Sequence, residues 1–239
     1  MILDNKFFLG FSLIFIVFTI KSQGLSSKPD LDGDLDIWFS SVSGENFYPF
    51  LEGSYYFISE GSNSRYEHPF YQSIWTEGSL VYEGRKYQDV TMAYNIVKDV
   101  LLIWNWDMKK GGEKSLLIDQ NKVDSFVIHN DKFVGSTTLG MGDGYHQEIH
   151  HGDSIGCYAK RYKLVEINQR STEYTNKSDL IILYKGRMYN YRGKSTLFKI
   201  FPEYKKDIKR YIRKNIASYS RRNDDGLRQV LAYCESLMK

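Results

Sequence analysis

The chain has 239 residues, 42% of them hydrophobic and 26% charged, with 19 tyrosines and 4 prolines. That balance excludes a disordered chain, and an aromatic share of 15% favours strands. A formal net charge of +3, spread over this length, gives no electrostatic case for nucleic acid.

The chain begins MILDNKFFLGFSLIFIVFTIKSQGL. Lys6 supplies a short positive region, and the run from Phe7 to Ile20 is uncharged and almost wholly apolar. At 14 residues the run is shorter than the roughly 20 that a membrane-spanning helix needs. It predicts a secretory signal peptide over residues 1–23, cleaved within Ser22-Gln23-Gly24, rather than a retained anchor. No cysteine follows that could accept a lipid, and no second long apolar run follows that could span a membrane. An exported chain is therefore expected, periplasmic, outer-membrane-associated or extracellular.

Residues 24–45 read as a flexible acidic leader. Asp30, Asp32, Asp34 and Asp36 alternate there as in a calcium loop. An EF-hand needs glycine at its sixth position and glutamate at its twelfth, and these positions hold Leu35 and Ser41. A solvated segment is the expectation.

From residue 46 onward a single β-rich domain is predicted. Leu80–Tyr82 and Lys86–Val90 flank Glu83-Gly84-Arg85. Leu101–Trp104 and Ser115–Ile118 flank the turn at 109–113, and Phe126–Ile128 and Lys132–Val134 flank His129-Asn130-Asp131. Each is a hairpin signal, because Gly, Asn and Asp tolerate the positive φ of tight turns. Tyr82-Glu-Gly-Arg-Lys-Tyr87 recurs as Tyr184-Lys-Gly-Arg-Met-Tyr189, with the tyrosines expected to face each other across the turn.

Between these copies lies Gly144-Tyr-His-Gln-Glu-Ile-His-His-Gly-Asp153, which holds three of the five histidines. On a helix, His146 and His150 would share a face as in a zinc site, but a zinc-protease motif needs glutamate directly after the first histidine. Here Glu148 is one place late, and Gly140, Gly142, Gly144, Gly152 and Gly156 oppose a helix. The run reads as a strand with Tyr145, Gln147 and Ile149 on one face and His146, Glu148 and His150 on the other, turning at His151-Gly152-Asp153. Strand positions i and i+4 lie about 13 Å apart, so His146 and His150 cannot share one ion. His146 with Glu148, or His150 with a residue across the turn, remain open as partial sites.

Gly140–Gly144 lacks the helix start that a phosphate loop requires. Ser154 beside Asp153 reads as a turn pair, and no nucleophile elbow occurs. Cys157 and Cys234 are the only cysteines, both among apolar neighbours. Two buried thiols is the plainer reading; a disulfide is the alternative, since spacing does not show whether they meet.

After residue 194 the period changes. Helices are predicted at about 200–215, with Tyr204, Ile208, Tyr211 and Ile212 as an apolar stripe, and at 224–238, with Leu227, Val230, Leu231, Cys234 and Leu237. Between Lys199 and Arg222 nine basic residues face two acids, a possible contact for an anionic surface. The fold class is α+β, mostly β: antiparallel hairpin or meander sheets, as a sandwich or partly open barrel, then a C-terminal helical segment.

The order of motifs resembles a group of exported β-rich proteins of the Bacteroidota. The similarity rests on the signal peptide, Gly78–Tyr87 continuing through Met92–Ile96, Gly144-Tyr145, Tyr184-x-Gly-x-x-Tyr189, and a tail like Phe201–Lys206 with Leu231–Leu237. The resemblance carries no assigned activity and transfers no catalytic, cofactor or metal residue. Two functional readings follow. The first is a non-enzymatic exported envelope protein with a binding or structural role, its partner an envelope protein, glycan or lipid. The second is a metal-assisted hydrolase using His146 or His150.

Overall fold

In the computed structural model, which describes residues 48–58, 68–107, 112–168, 171–216, 219–220 and 223–239, the hairpin signals assemble into one antiparallel sheet of eleven strands. The segments expected as signal peptide and acidic leader lie outside the described residues. The strands are β1 (Ser54–Tyr55), β2 (Thr76–Tyr82), β3 (Arg85–Asn95), β4 (Val100–Asp107), β5 (Gly112–Leu117) and β6 (Val123–Ile128). They continue with β7 (Asp131–Gly135), β8 (Tyr145–His151), β9 (Ile155–Ile167), β10 (Thr172–Tyr184) and β11 (Arg187–Tyr191). The spatial order is β1-β5-β4-β3-β2-β6-β7-β8-β9-β10-β11. A short helix α1 (Ser136–Leu139) joins β7 to β8, and α2 (Lys194–Ile200), α3 (Lys205–Asn215) and α4 (Asp224–Met238) close the chain.

Three of the hairpins turn on two residues of positive φ: Glu83-Gly84, His129-Asn130 and Lys185-Gly186. That geometry matches the twist of the flanking strands. The repeated tyrosine motif has one register in both copies, and it is not the expected one. Tyr82 pairs with Arg85 and Tyr87 with Leu80; Tyr184 pairs with Arg187 and Tyr189 with Ile182. A two-residue turn leaves the tyrosines diagonal instead of opposite. In the first copy both rings meet Phe50, at centroid distances of 6.1 and 5.0 Å.

The sheet is strongly curled. Tyr94 on β3 touches Phe126 on β6, Phe133 on β7 and Tyr145 on β8, with ring centroids 5.3, 5.1 and 5.6 Å apart. In a flat sheet β3 and β8 would lie about 19 Å apart, four strand spacings. The aromatic interior is what curls the sheet, since only curvature buries those rings on one another. Its concave face continues to β9 and β10, where Ile155, Cys157, Ala159, Leu180 and Ile182 pack against Leu197, Phe201, Ile208, Ile212 and Leu227, Val230 and Leu231 of the helical segment. On the convex side Phe70, Ala93 and Leu102 form a smaller cluster.

The first predicted helix, at about 200–215, is α3 alone and begins only at Lys205; the short α2 before it was not expected, and Phe201-Pro202 ends it because proline cannot donate to the preceding turn. The second matches its predicted span, capped by the Asn223 side chain accepting from Gly226 N. Among the described residues no helix is long and apolar enough to cross a membrane.

Candidate functional site

Along β9 the concave-facing positions run Ile155, Cys157, Ala159 and then Arg161 and Lys163. The first three are core; the last two carry charge onto the same face. Register places polar residues beside them on each neighbouring strand. Ser178 of β10 is opposite Arg161, Gln147 of β8 is opposite Ala159, and Gln147 is opposite Phe133 of β7, two residues from Asp131. Asp131, Gln147, Arg161 and Ser178 thus form a polar line across four adjacent strands.

The bonds along this line fix each other. Gln147 Nε2 donates to Asp131 Oδ1 at 2.7 Å, and Arg161 Nε donates to Gln147 Oε1 at 2.6 Å. A carboxylate only accepts and a guanidinium only donates, so the Gln147 amide has one allowed orientation. Arg161 Nη1 donates to Ser178 Oγ at 2.8 Å, and Nη2 bonds the Asp224 carboxylate in the first turn of α4. Asp131 Oδ2 also accepts from Tyr71 Oη at 2.7 Å and Gln72 Nε2 at 3.1 Å.

The segment around His68–Gln72 forms the facing wall. It continues the line of β2 beside β3: Tyr71 N donates to Tyr94 O, Ile96 N donates to Pro69 O, and Phe70 bridges Asn95. Lys163 ties β9 to this wall, its Nζ donating to His68 O at 2.6 Å and Phe70 O at 2.7 Å. Between wall and strands lies an open cleft of about 740 Å³, lined by Tyr71, Arg161, Lys163, Asn176, Ser178 and Asp224 among others. Ligand sites commonly have volumes of roughly 300–1,000 Å³.

Burial sets the protonation states here. It pushes the Tyr71 phenol up to about 12, helped by its bond to Asp131. Burial draws the Lys163 ammonium down to about 8. His68, 5% exposed, is held below 6.5 by burial and then by Lys163. Its Nδ1 accepts from Phe70 N at 3.2 Å, which makes it the neutral tautomer with hydrogen on Nε2.

The sequence singled out a different stretch, and the structure separates its histidines. A bulge shifts the β8–β9 register: Glu148 pairs with Tyr158, but His150 pairs with Cys157. The extra residue moves His150 onto the Gln147 face, opposite to His146 and Glu148. This corrects the expected alternation. His150 Nε2 lies 3.7 Å from Glu235 of α4, while exposed His151 lies 3.7 Å from Glu148. His146 is buried beside Lys160 and Asp99, and among the described residues its Nδ1 has no hydrogen-bond partner. Among the described residues no three His, Cys, Asp or Glu side chains converge to hold a metal ion. Cys157 and Cys234 are both buried, free thiols, each pushed up to about 12 by burial.

The cleft residues were missed, yet a signal existed: Arg161 and Lys163 extend the period-2 inward run of β9. Charges at core-facing strand positions are uncommon unless they are paired or used. Comparison with known proteins found no matching family, no matching curated relative and no matching solved structure.

Proposed function

We propose that this is an exported envelope protein that binds a small polar ligand in the cleft and performs no chemistry on it. The observation that carries the reading is the cleft itself, with the Asp131–Gln147–Arg161–Ser178 line on four strands of a rigid sheet. Sites built on strands hold polar groups more precisely than loops do. Two of its titratable groups are each held in one form: Tyr71 protonated against Asp131, and His68 neutral against Phe70 N. Export is supported by the Phe7–Ile20 run, which has signal-peptide length and flanks.

The test is a thermal-shift and native mass-spectrometry screen of the purified protein against glycans, lipid head groups and short peptides. Asn176 lines the cleft and is exposed, so Asn176→Trp fills the space without disturbing the core. A ligand that binds the native protein and is lost in that variant supports the reading. Binding unchanged by Asn176→Trp overturns it.

A further inference from the structure

Strands β9 and β10 outrun their neighbours. They pair with each other over their whole length, but β8 covers β9 only as far as Ala159, and β11 covers β10 only from Leu180 to Tyr184. Among the described residues no strand pairs with Thr172–Asp179 on the β11 side, so this half of β10 is a sheet edge. Asn168 N donates to Ser171 O, which fixes the alternation of the ribbon. Thr172, Asn176 and Ser178 therefore turn their N–H and C=O groups away from β9, toward the uncovered side. Such edges are normally kept short or broken by proline or a bulge. The other end of the sheet obeys this, since β1 has 2 residues. The β10 edge has neither proline nor a register shift.

Its charges point to what covers it. Glu173, Thr175 and Lys177 share the convex face and are exposed. Glu173 stands directly opposite Glu166 of β9, a like-charge pair that weakens a ladder. Among the described residues no cation pairs with either acid, and no acid pairs with Lys177. A second copy of the same edge supplies both. Antiparallel pairing about a two-fold axis at Thr175 sets Glu173 against the partner's Lys177, and Lys177 against the partner's Glu173. Thr172 then meets the partner's Ser178, and the two Thr175 side chains meet on the axis, each flanked by Leu164 of its own chain. Other registers fail. An axis at Tyr174 leaves Glu173 opposite a threonine, and one at Asn176 sets it against the partner's Asp179. The β9 edge offers no such match: an axis at Leu164 or Val165 leaves Lys163 opposite an apolar residue, and one at Lys163 or Glu166 sets like charges face to face.

We infer that the protein self-associates through this edge, the β10 strands of two copies joining their sheets with Thr175 on the axis. Sedimentation of the purified protein up to about 500 μM tests it. An interface this small should give a dimer with Kd of about 10–100 μM. Lys177→Glu and Glu173→Lys should each weaken dimerisation at least about tenfold, because each reverses both symmetric pairs. Mixing the two variants should restore it as a heterodimer, since each carries the charge that the other needs; a variant that had lost its fold would not recover. Thr175→Cys should form an inter-chain disulfide on oxidation, its Cα atoms lying about 4.5 Å apart across the axis. Leu164→Cys, one strand further out in each copy, should not.

A protein that stays monomeric at about 500 μM overturns the inference. So does a dimer indifferent to the charge variants, a pair of variants that mixing does not restore, or cross-linking through Leu164→Cys in place of Thr175→Cys.

Discussion

Arg161 Nε on β9 and Gln147 Oε1 on β8 meet at 2.6 Å, and this bond joins the sheet's polar line to the helical segment, since the same guanidinium holds Asp224 of α4. Three acceptors, one for each guanidinium nitrogen, suit a guanidinium fork and not an ammonium. Arg161→Lys should therefore destabilise by about 1–2 kcal/mol despite keeping the charge, and Arg161→Ala by about 3 kcal/mol, because Asp224 and Gln147 lose their donor. Urea denaturation gives both values. A loss below about 0.5 kcal/mol for Arg161→Ala would show the line to be ornamental.

A second relationship lies at the β3–β4 turn. Asp99 accepts from Tyr94 Oη at 2.5 Å, receives Lys160, and sits against Gly144, where a Cβ would collide with its carboxylate. Gly144 also has φ +78°. Gly144→Ala should cost about 2–4 kcal/mol from backbone strain and collision together. In the Asp99→Ala background the carboxylate collision vanishes and only the flexible end of Lys160 remains close, so the double variant should lose less than the sum of the two singles. Additive losses would contradict the contact.

Glu235 reaches from α4 to the β8–β9 turn, accepting from Ser154 N and Ile155 N, each at 2.9 Å. Both bonds end on Oε1, so Glu235→Gln keeps the accepting oxygen and loses only the charge; Glu235→Ala leaves two backbone donors without that partner. Expected losses are about 1 and about 2–3 kcal/mol. Faster hydrogen exchange at Ser154 and Ile155 in Glu235→Ala, relative to β3 amides, would locate the effect at the turn.

Three histidines make the protein acid-sensitive. Burial holds His68, His146 and His150 below the usual 6.5. The unfolded chain then takes up protons near pH 6.5 that the folded chain refuses. Stability is complete above that value and falls as pH drops through it, by at most about 1.4 kcal/mol per pH unit for each histidine. His146→Gln should flatten this slope, measured by denaturant midpoints between neutral pH and about pH 5. A slope unchanged in that variant would show that His146 titrates normally in the fold.

Much of this protein is local and therefore legible residue by residue. The turns at Glu83-Gly84, His129-Asn130 and Lys185-Gly186, the period-2 runs and the switch to helical spacing after residue 194 follow from backbone sterics and hydrophobic alternation, which act over a few residues. The sequence by itself thus determined an α+β chain, mostly β, with its helices at the end. Tertiary structure alone decided three things. It set the strand order and curl, through aromatic contacts such as Tyr94 with Tyr145 that span 51 positions. It inserted the bulge that parts His150 from His146, which depends on how β8 registers with β9. And it gathered Tyr71, Asp131, Gln147, Arg161 and Asp224 into one bonded line. Residues so far apart in the chain carry no shared local pattern; only the register of adjacent strands brings them into reach.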